Sequence, residues 1–402
     1  TNENQAVALG GEPMTLRDTA FALAGLTALL TSLAGTAHAV QECELNGEHV
    51  NPANGNTTKG KTGLMRCKDR DSGELQREQE LRNGVFMGVV RYYDKGKLGK
   101  EQHLNAKGNL HGRAREFYPD GKVLREATYD NGHEEGLVRS FHPDGQLRRV
   151  AFYADPGGER ASAEFTPAGQ LSALRCADSA VLAPAADDAR WCGFVGGPSQ
   201  VELFDAKGGL RARLSYTSGK RVRNERLYDN GKPASQDEVA GNQRTERRFS
   251  SEGVKRYELV SLIVERGTVK QREIEYSERG TPVREQRWTP AGLAVSDDSY
   301  YLNSQPRSKT VYSGEGLARV ADITEFHDNG QRAAEGRFGA APRGRLIPVG
   351  LHRRFDEQGK LASESVYDDK GRVTRERTWD ANGQPDRDDE VFEDGSRKAY
   401  AK

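Results

Sequence analysis

The sequence predicts an all-β protein: an elongated array of antiparallel β-hairpin repeats, about 24 residues per hairpin, behind a disulfide-bearing N-terminal cap. Three observations predict it. Glycines recur about every twelve residues, at Gly84, Gly96, Gly108, Gly121, Gly132, Gly145, Gly157 and Gly169, and again at Gly359, Gly371, Gly383 and Gly395. An aromatic residue stands three or four positions before most of them, as in Tyr93-Asp-Lys-Gly96, Tyr118-Pro-Asp-Gly121, Tyr228-Asp-Asn-Gly231 and Trp379-Asp-Ala-Asn-Gly383. Between turns, residues alternate: Val123, Arg125, Ala127 and Tyr129 against Leu124, Glu126 and Thr128. Period-two alternation marks half-exposed strands, and glycine supplies the positive φ that hairpin turns require. Neighbouring hairpins must then pair, so that the aromatic row forms one apolar stripe.

Composition agrees with thin layers wetted on both faces. The 402 residues include 60 Lys plus Arg and 60 Asp plus Glu, 30% of the chain is charged, and only 35% is hydrophobic. Mean hydropathy is −0.81. This balance excludes a basic nucleic-acid-binding chain and an acidic disordered tail.

Taken in order, residues 1–39 stand apart. Ala20 to Gly35 is uncharged and mostly apolar or small, and Ala37-His38-Ala39 follows as an A-x-A cleavage pattern. This is the signature of a secretory signal peptide, with Met14 as initiator, Arg17 in the n-region, and residues 1–13 as an upstream extension. The mature chain then begins at Val40, in the periplasm rather than outside the cell. Residues 40–76 form the cap with Cys43 and Cys67. Repeat block 1 covers 77–172. Residues 173–203 break the rhythm and read as an insertion flanked by Cys176 and Cys192. Repeat block 2 covers 204–300 and block 3 covers 301–402, with a loop at Ala340-Ala341-Pro342-Arg343-Gly344. Four cysteines in an exported chain read as two disulfides. Sequence order favours Cys43–Cys67 and Cys176–Cys192 among three possible pairings.

A second glycine series sharpens the repeat. Gly84, Gly108 and Gly132 each have a partner four residues on, Gly88, Gly112 and Gly136, followed after five residues by Tyr93, Phe117 and Phe141; Gly350 and Phe355 keep that offset. The pattern resembles the variant form of MORN repeats found in bacterial YwqK-type antitoxin-like proteins, over roughly 77–172 and 204–402. The Tyr-x-Gly-x-Trp core of the classical unit is incomplete, because its Trp is absent.

No catalytic constellation emerges. The 8 histidines form no H-E-x-x-H pair, and neither a G-x-S-x-G elbow nor a P-loop occurs. His142 and His327 directly follow a turn aromatic and read as turn residues. The carboxylate pairs Asp368-Asp369 and Asp388-Asp389 read as solvated turn or tail residues. No enzyme activity, cofactor or metal is expected. Arg125, Arg148, Arg149, Arg375 and Arg377 recur at mid-strand, with Glu126 and Glu376 beside two of them. Each reads singly as a rung in a cross-strand charge ladder. The face as a whole reads as a surface that grips a protein partner. Arg223, Arg226, Tyr228, Arg256, Tyr257, Tyr276 and Trp288 are the candidate contact residues.

The expected function is therefore non-catalytic protein binding. The resemblance implies an immunity or antitoxin protein that neutralises a secreted toxin, such as a type VI secretion phospholipase or wall-degrading effector. The alternative is a structural envelope protein that binds membrane, glycan or a scaffold partner. Near-zero net charge offers no average cationic patch for anionic lipid, so membrane association is not favoured.

Overall fold

The computed structural model describes residues 41–154, 158–342 and 345–401. The leader, its cleavage pattern and Met14 lie outside the described residues, as do Gly157 and the Arg343-Gly344 end of the expected loop. Two antiparallel sheets hold nearly all the regular structure, one of 12 strands and one of 17. The expected all-β hairpin array is what forms. In the second sheet, strands from Val201–Phe204 to Arg397–Ala401 lie side by side in chain order with no crossover. No break falls near residue 300: strand Ala294–Tyr300 pairs directly with Pro306–Ser313. Blocks 2 and 3 therefore share one sheet, because hairpin pairing tolerates uneven turn lengths provided that the register resumes.

The cap likewise belongs to the first sheet. Strand Gln41–Leu45 pairs with Glu48–Val50 on one side and with Gly63–Asp69 on the other. The second pairing sets Cys43 directly opposite Cys67, and the two are bonded. Cys43, Leu45, Val50, Met65, Cys67 and Leu81 make a small buried cluster there, with Phe86 packed against it.

Two turn types drive the hairpins. Asn83-Gly84, Lys95-Gly96 and Asn131-Gly132 have positive φ at both residues, as two-residue hairpin loops require. More often the loop has three residues. The first turn residue accepts from the glycine N–H three positions on and donates to the carbonyl of the residue after that glycine. Tyr118, Gly121 and Lys122 do so with both bonds at 2.8 Å, and Gly121 sits at φ 86°. The register shifts by one residue beside most such turns, which marks a bulge. The repeat aromatic is the last strand residue before this turn, opposite the first residue of the next strand: Phe117 faces Val123, Tyr276 faces Pro282 and Trp379 faces Pro385.

The first turn residue, directly after the strand-end residue, has a further task. The hydroxyls of Tyr118, Tyr228 and Tyr301 donate to the carbonyls of Phe141, Phe249 and Phe326, each at 2.8 Å. His142 and His327 contact the carbonyls of Phe165 and Phe355 through Nε2, at 3.1 Å. Each bond joins one turn to the next turn on the same side of the sheet, one hairpin further along. The side chains of Asn303 and Asn329 add parallel bonds to Asp328 and Glu357.

The expected continuous apolar stripe does not form. Many rings are covered by cations instead, from the neighbouring strand in Lys255 over Tyr276, Lys309 over Phe326 and Arg332 over Phe355, and from the same strand in Arg115 over Phe117. A sheet this rich in charge has too few apolar groups to roof each ring with another, and cation–π contact is the available substitute.

The sheets meet at the insertion. Cys176 is bonded to Cys192, and helix Asp188–Trp191 lies between them. The chain after the helix is pinned to hairpin 210–227 by bonds from Ser218 N to Gly193 O at 3.0 Å and from Gly219 N to Cys192 O at 2.8 Å. Gly219 has φ 78° and approaches so closely that an added Cβ would collide with the Ala177 carbonyl oxygen. Gly145 has φ 93° with open space around it. Gly145→Ala should therefore cost about 1–2 kcal/mol, the left-handed backbone penalty alone. Gly219→Ala should cost clearly more and detach the insertion. Thermal unfolding of both variants checks this, and equal losses would contradict it.

Candidate functional site

The sheet surface is built from charged rungs. In the first sheet, register alone lines up Glu44, Arg66, Glu78, Arg91, Glu101, Arg115, Glu126 and Arg139, one per strand and strictly alternating in sign. Most of these positions bond to a neighbouring rung. Glu78 meets Arg66 at 3.1 Å and Arg91 at 3.2 Å, and Glu101 meets Arg91 at 2.8 Å and Arg115 at 2.6 Å. Glu126 meets Arg139 at 3.1 Å. Opposite charges directly across strands are worth about 0.2–1 kcal/mol per pair. Each shared carboxylate here takes two such partners.

The second sheet repeats the device with interruptions. Glu202, Arg213, Glu225, Gln236, Arg247 and Glu258 stand in one row, and Glu335, Arg353, Glu364, Arg377 and Asp388 resume it. Between them lies a fault, where Ile274 precedes Glu285 and Asp298, two carboxylates in adjacent register. Glu285 is held by Arg272 and Arg287, both at 2.8 Å.

Carboxyl acidities follow this arrangement. Hydrogen bonds from Arg115, aided by Arg91, hold Glu101 below the usual range against the opposing effect of burial. Burial pushes Glu78 upward, but bonds from Tyr93, Arg66 and Arg91 together outweigh it and leave it lowered. Asp298 moves the other way: burial raises it, Lys309 partly offsets this, and Glu285 raises it further.

Of the five arginines singled out by recurrence, four are rungs or near-rungs, whereas Arg148 is the exposed extra residue at a bulge. Arg125 bonds to Glu134, and Arg149 to Glu159 and Glu164. Arg375 and Arg377 reach Asp388, at 2.8 and 3.6 Å.

The candidate contact residues fall on both faces. Tyr257 stands opposite Glu275, so its neighbour in sequence, Tyr276, projects from the other face. On the Tyr257 face a chain of contacts runs across four strands. Arg248 lies 5.0 Å from the Tyr257 ring. The Tyr257 hydroxyl donates to Glu273 at 2.6 Å, Lys270 meets Glu273 at 2.7 Å, and Lys270 lies 5.5 Å over Trp288. Burial, followed by the Glu273 carboxylate, pushes the Tyr257 hydroxyl well above its ordinary value. Arg226 shares this face, through the register Arg226–Ser235–Arg248–Tyr257. On the opposite face Lys255 joins Tyr276 at 4.6 Å to Glu258 at 3.1 Å. Arg223 reaches Glu225 at 3.5 Å, Tyr228 is a turn-to-turn link, and Arg256 is the extra residue at a bulge. Among the described residues Arg226 and Arg256 contact no carboxylate, whereas Tyr257 and Trp288 are already engaged.

Sequence reasoning missed Glu273 and Lys270, which join those two aromatics, and the glutamate rungs Glu78 and Glu101. The signal for the rungs was present: Arg66, Arg91, Arg115 and Arg139 recur with the hairpin period, with the glutamates between them. Among the described residues, no group of three or more His, Cys, Asp or Glu side chains is placed to hold a metal ion, and no helix is long and apolar enough to cross a membrane.

Two opposite pH responses follow. Glu101 is more acidic folded than unfolded, so its contribution is complete above the unfolded value near 4.5 and lost as pH falls through the lowered folded value. Glu101→Gln should lower the thermal midpoint at pH 7 and flatten its fall in acid. Asp298 is less acidic folded, so its ionisation opposes folding at neutral pH. Asp298→Asn should raise the midpoint at pH 7 and make little difference below about pH 3.5. Midpoints measured from pH 3 to 7 test both, and a shared sign at pH 7 would refute this assignment.

The MORN repeat variant profile matches residues 110–131, 134–155 and 348–369. No curated protein matches the chain. Among solved structures, a crystal structure of TarM is 14% identical over 26% of this chain and 18% of its own, with TM-score 0.16. The TcdB2-TccC3-TEV crystal structure is 11% identical over 85% of this chain, with TM-score 0.18. The Photorhabdus luminescens Tc holotoxin pore, carrying the TccC3-D651A mutation, is 10% identical over 84%, also with TM-score 0.18. The chain spans only 20% and 24% of those last two.

Proposed function

We propose that this MORN-repeat protein is an exported, non-catalytic binding array whose partner is another protein, and that it neutralises a toxic effector in the periplasm. The observation that carries the reading is the 17-stranded sheet, which runs without crossover or break from Val201 to Ala401. At nearly 5 Å per strand this gives a surface on the order of 80 Å long. That is suited to grip a large partner rather than enclose a small molecule. Its charges are largely paired with one another, so the surface can be covered without burying unpaired ions. Two disulfides fit an oxidising compartment.

The choice of a toxin as partner rests on the resemblance to antitoxin-like MORN variants. Inhibition would act by occlusion of the toxin's active site or its membrane-facing surface. Arg226, which contacts no carboxylate, lies on the same face as Tyr257 and Trp288, three and five strands away, and arginine together with aromatic groups dominates many interfaces.

Co-expression with the toxin encoded by a neighbouring gene tests this. Cells that export the protein should survive, and the two chains should co-purify. Arg226→Glu combined with Trp288→Ala should weaken capture by tenfold or more while the sheet still folds. Full toxicity in cells exporting the wild-type chain rejects the antitoxin role. Undiminished capture by the double variant rejects this face.

A further inference from the structure

Beyond the sheet faces, the insertion creates a cavity of about 680 Å³. Its walls are Leu147 and Phe165 from the first sheet and Pro184, Ala185, Ala186 and Trp191 from the insertion, with Asp187 and Asp188 as its charged members. Asp188 opens the short helix and is only 1% exposed. Its Oδ2 accepts from the N–H groups of Val181 and Leu182, at 2.7 and 3.0 Å. Its Oδ1 is buried and has no hydrogen-bond partner. A buried carboxylate oxygen left unpaired is costly, and no lysine or arginine lines the cavity to relieve it.

We propose that this cavity is a docking site for a peptide segment of the protein partner, a segment carrying a basic side chain among apolar ones. The apolar walls take the flanking side chains, and the cation is drawn to Asp187 and the unpaired oxygen of Asp188. The volume falls within the range of pockets that enclose several side chains. The Cys176–Cys192 bond ties the two ends of the insertion together, and a small shift of the cover over Asp188 opens its buried oxygen to the cation. This proposal rests on the reading of the chain as a protein binder and adds to it the chemistry of one contact.

Trp191 supplies the readout. The chain has 3 Trp, so Trp288→Phe with Trp379→Phe leaves Trp191 as the single reporter. The probes are acetyl-Leu-Lys-Leu-Phe amide and the same peptide with Glu in place of Lys. The lysine peptide should shift Trp191 emission saturably and bind at least about tenfold more tightly than the glutamate peptide. Asp188→Asn, which keeps an acceptor for Val181 and Leu182, should remove most of that preference. Ala185→Phe should block both peptides by filling the cavity. Equal binding of the two peptides, no saturable response, or binding unaffected by Ala185→Phe would overturn the proposal. If the peptides fail while the intact array still captures its toxin, the cavity is wrong and the array reading stands. If the lysine peptide binds as expected but no toxin is captured, the cavity stands and the array reading falls.

Discussion

A sheet with charges on both faces cannot choose its register by hiding one face. The alternating row from Glu44 to Arg139 solves that problem. A slipped strand would break its rungs on both sides at once. Single exposed ion pairs contribute little. Here each shared carboxylate couples two strands, as Glu101 couples Arg91 and Arg115. The ladder therefore acts more through specificity of pairing than through the strength of any one bond.

The turns complete this control. A bulge beside most three-residue loops resets the register by one. The aromatic at the strand end then always faces the first residue of the next strand. Because the tyrosine or histidine that follows it reaches the next turn on the same side, successive hairpins are tied together outside the backbone ladder as well. Those links explain why the position carries hydroxyl or imidazole groups.

The row that bears charge through Arg139 changes character as it enters the last strands of the first sheet. Val150, Ala163 and Leu174 take the next positions, and Val150 and Ala163 are fully buried. Leu182 covers this stretch, with Trp191 packed against it. Trp191, Leu171 and Leu174 also contact the core of the second sheet around Val201, Leu214 and Tyr216. Apolar packing is thus spent where the sheet ends and an edge would otherwise be open. The cavity lies at that same place.

Local chemistry was legible in the sequence, because glycine φ, strand alternation and cysteine order act over a few residues. The hairpin array and its period follow from those features alone; cysteine order only favoured the two disulfides among three pairings, and the fold selects them. The division of Tyr257 and Tyr276 between opposite faces did not, since a face is assigned only once register is fixed. Nor did the continuity of the sheet across residue 300, the covering of rings by Lys255 and Lys309, or the unpaired oxygen of Asp188. Each depends on which residues meet across strands far apart in the chain. Sequence by itself determined the repeating unit; tertiary structure decided which charges pair, which aromatics are already occupied, and where an apolar cavity remains, because burial and pairing belong to neighbours that only the folded sheet brings together.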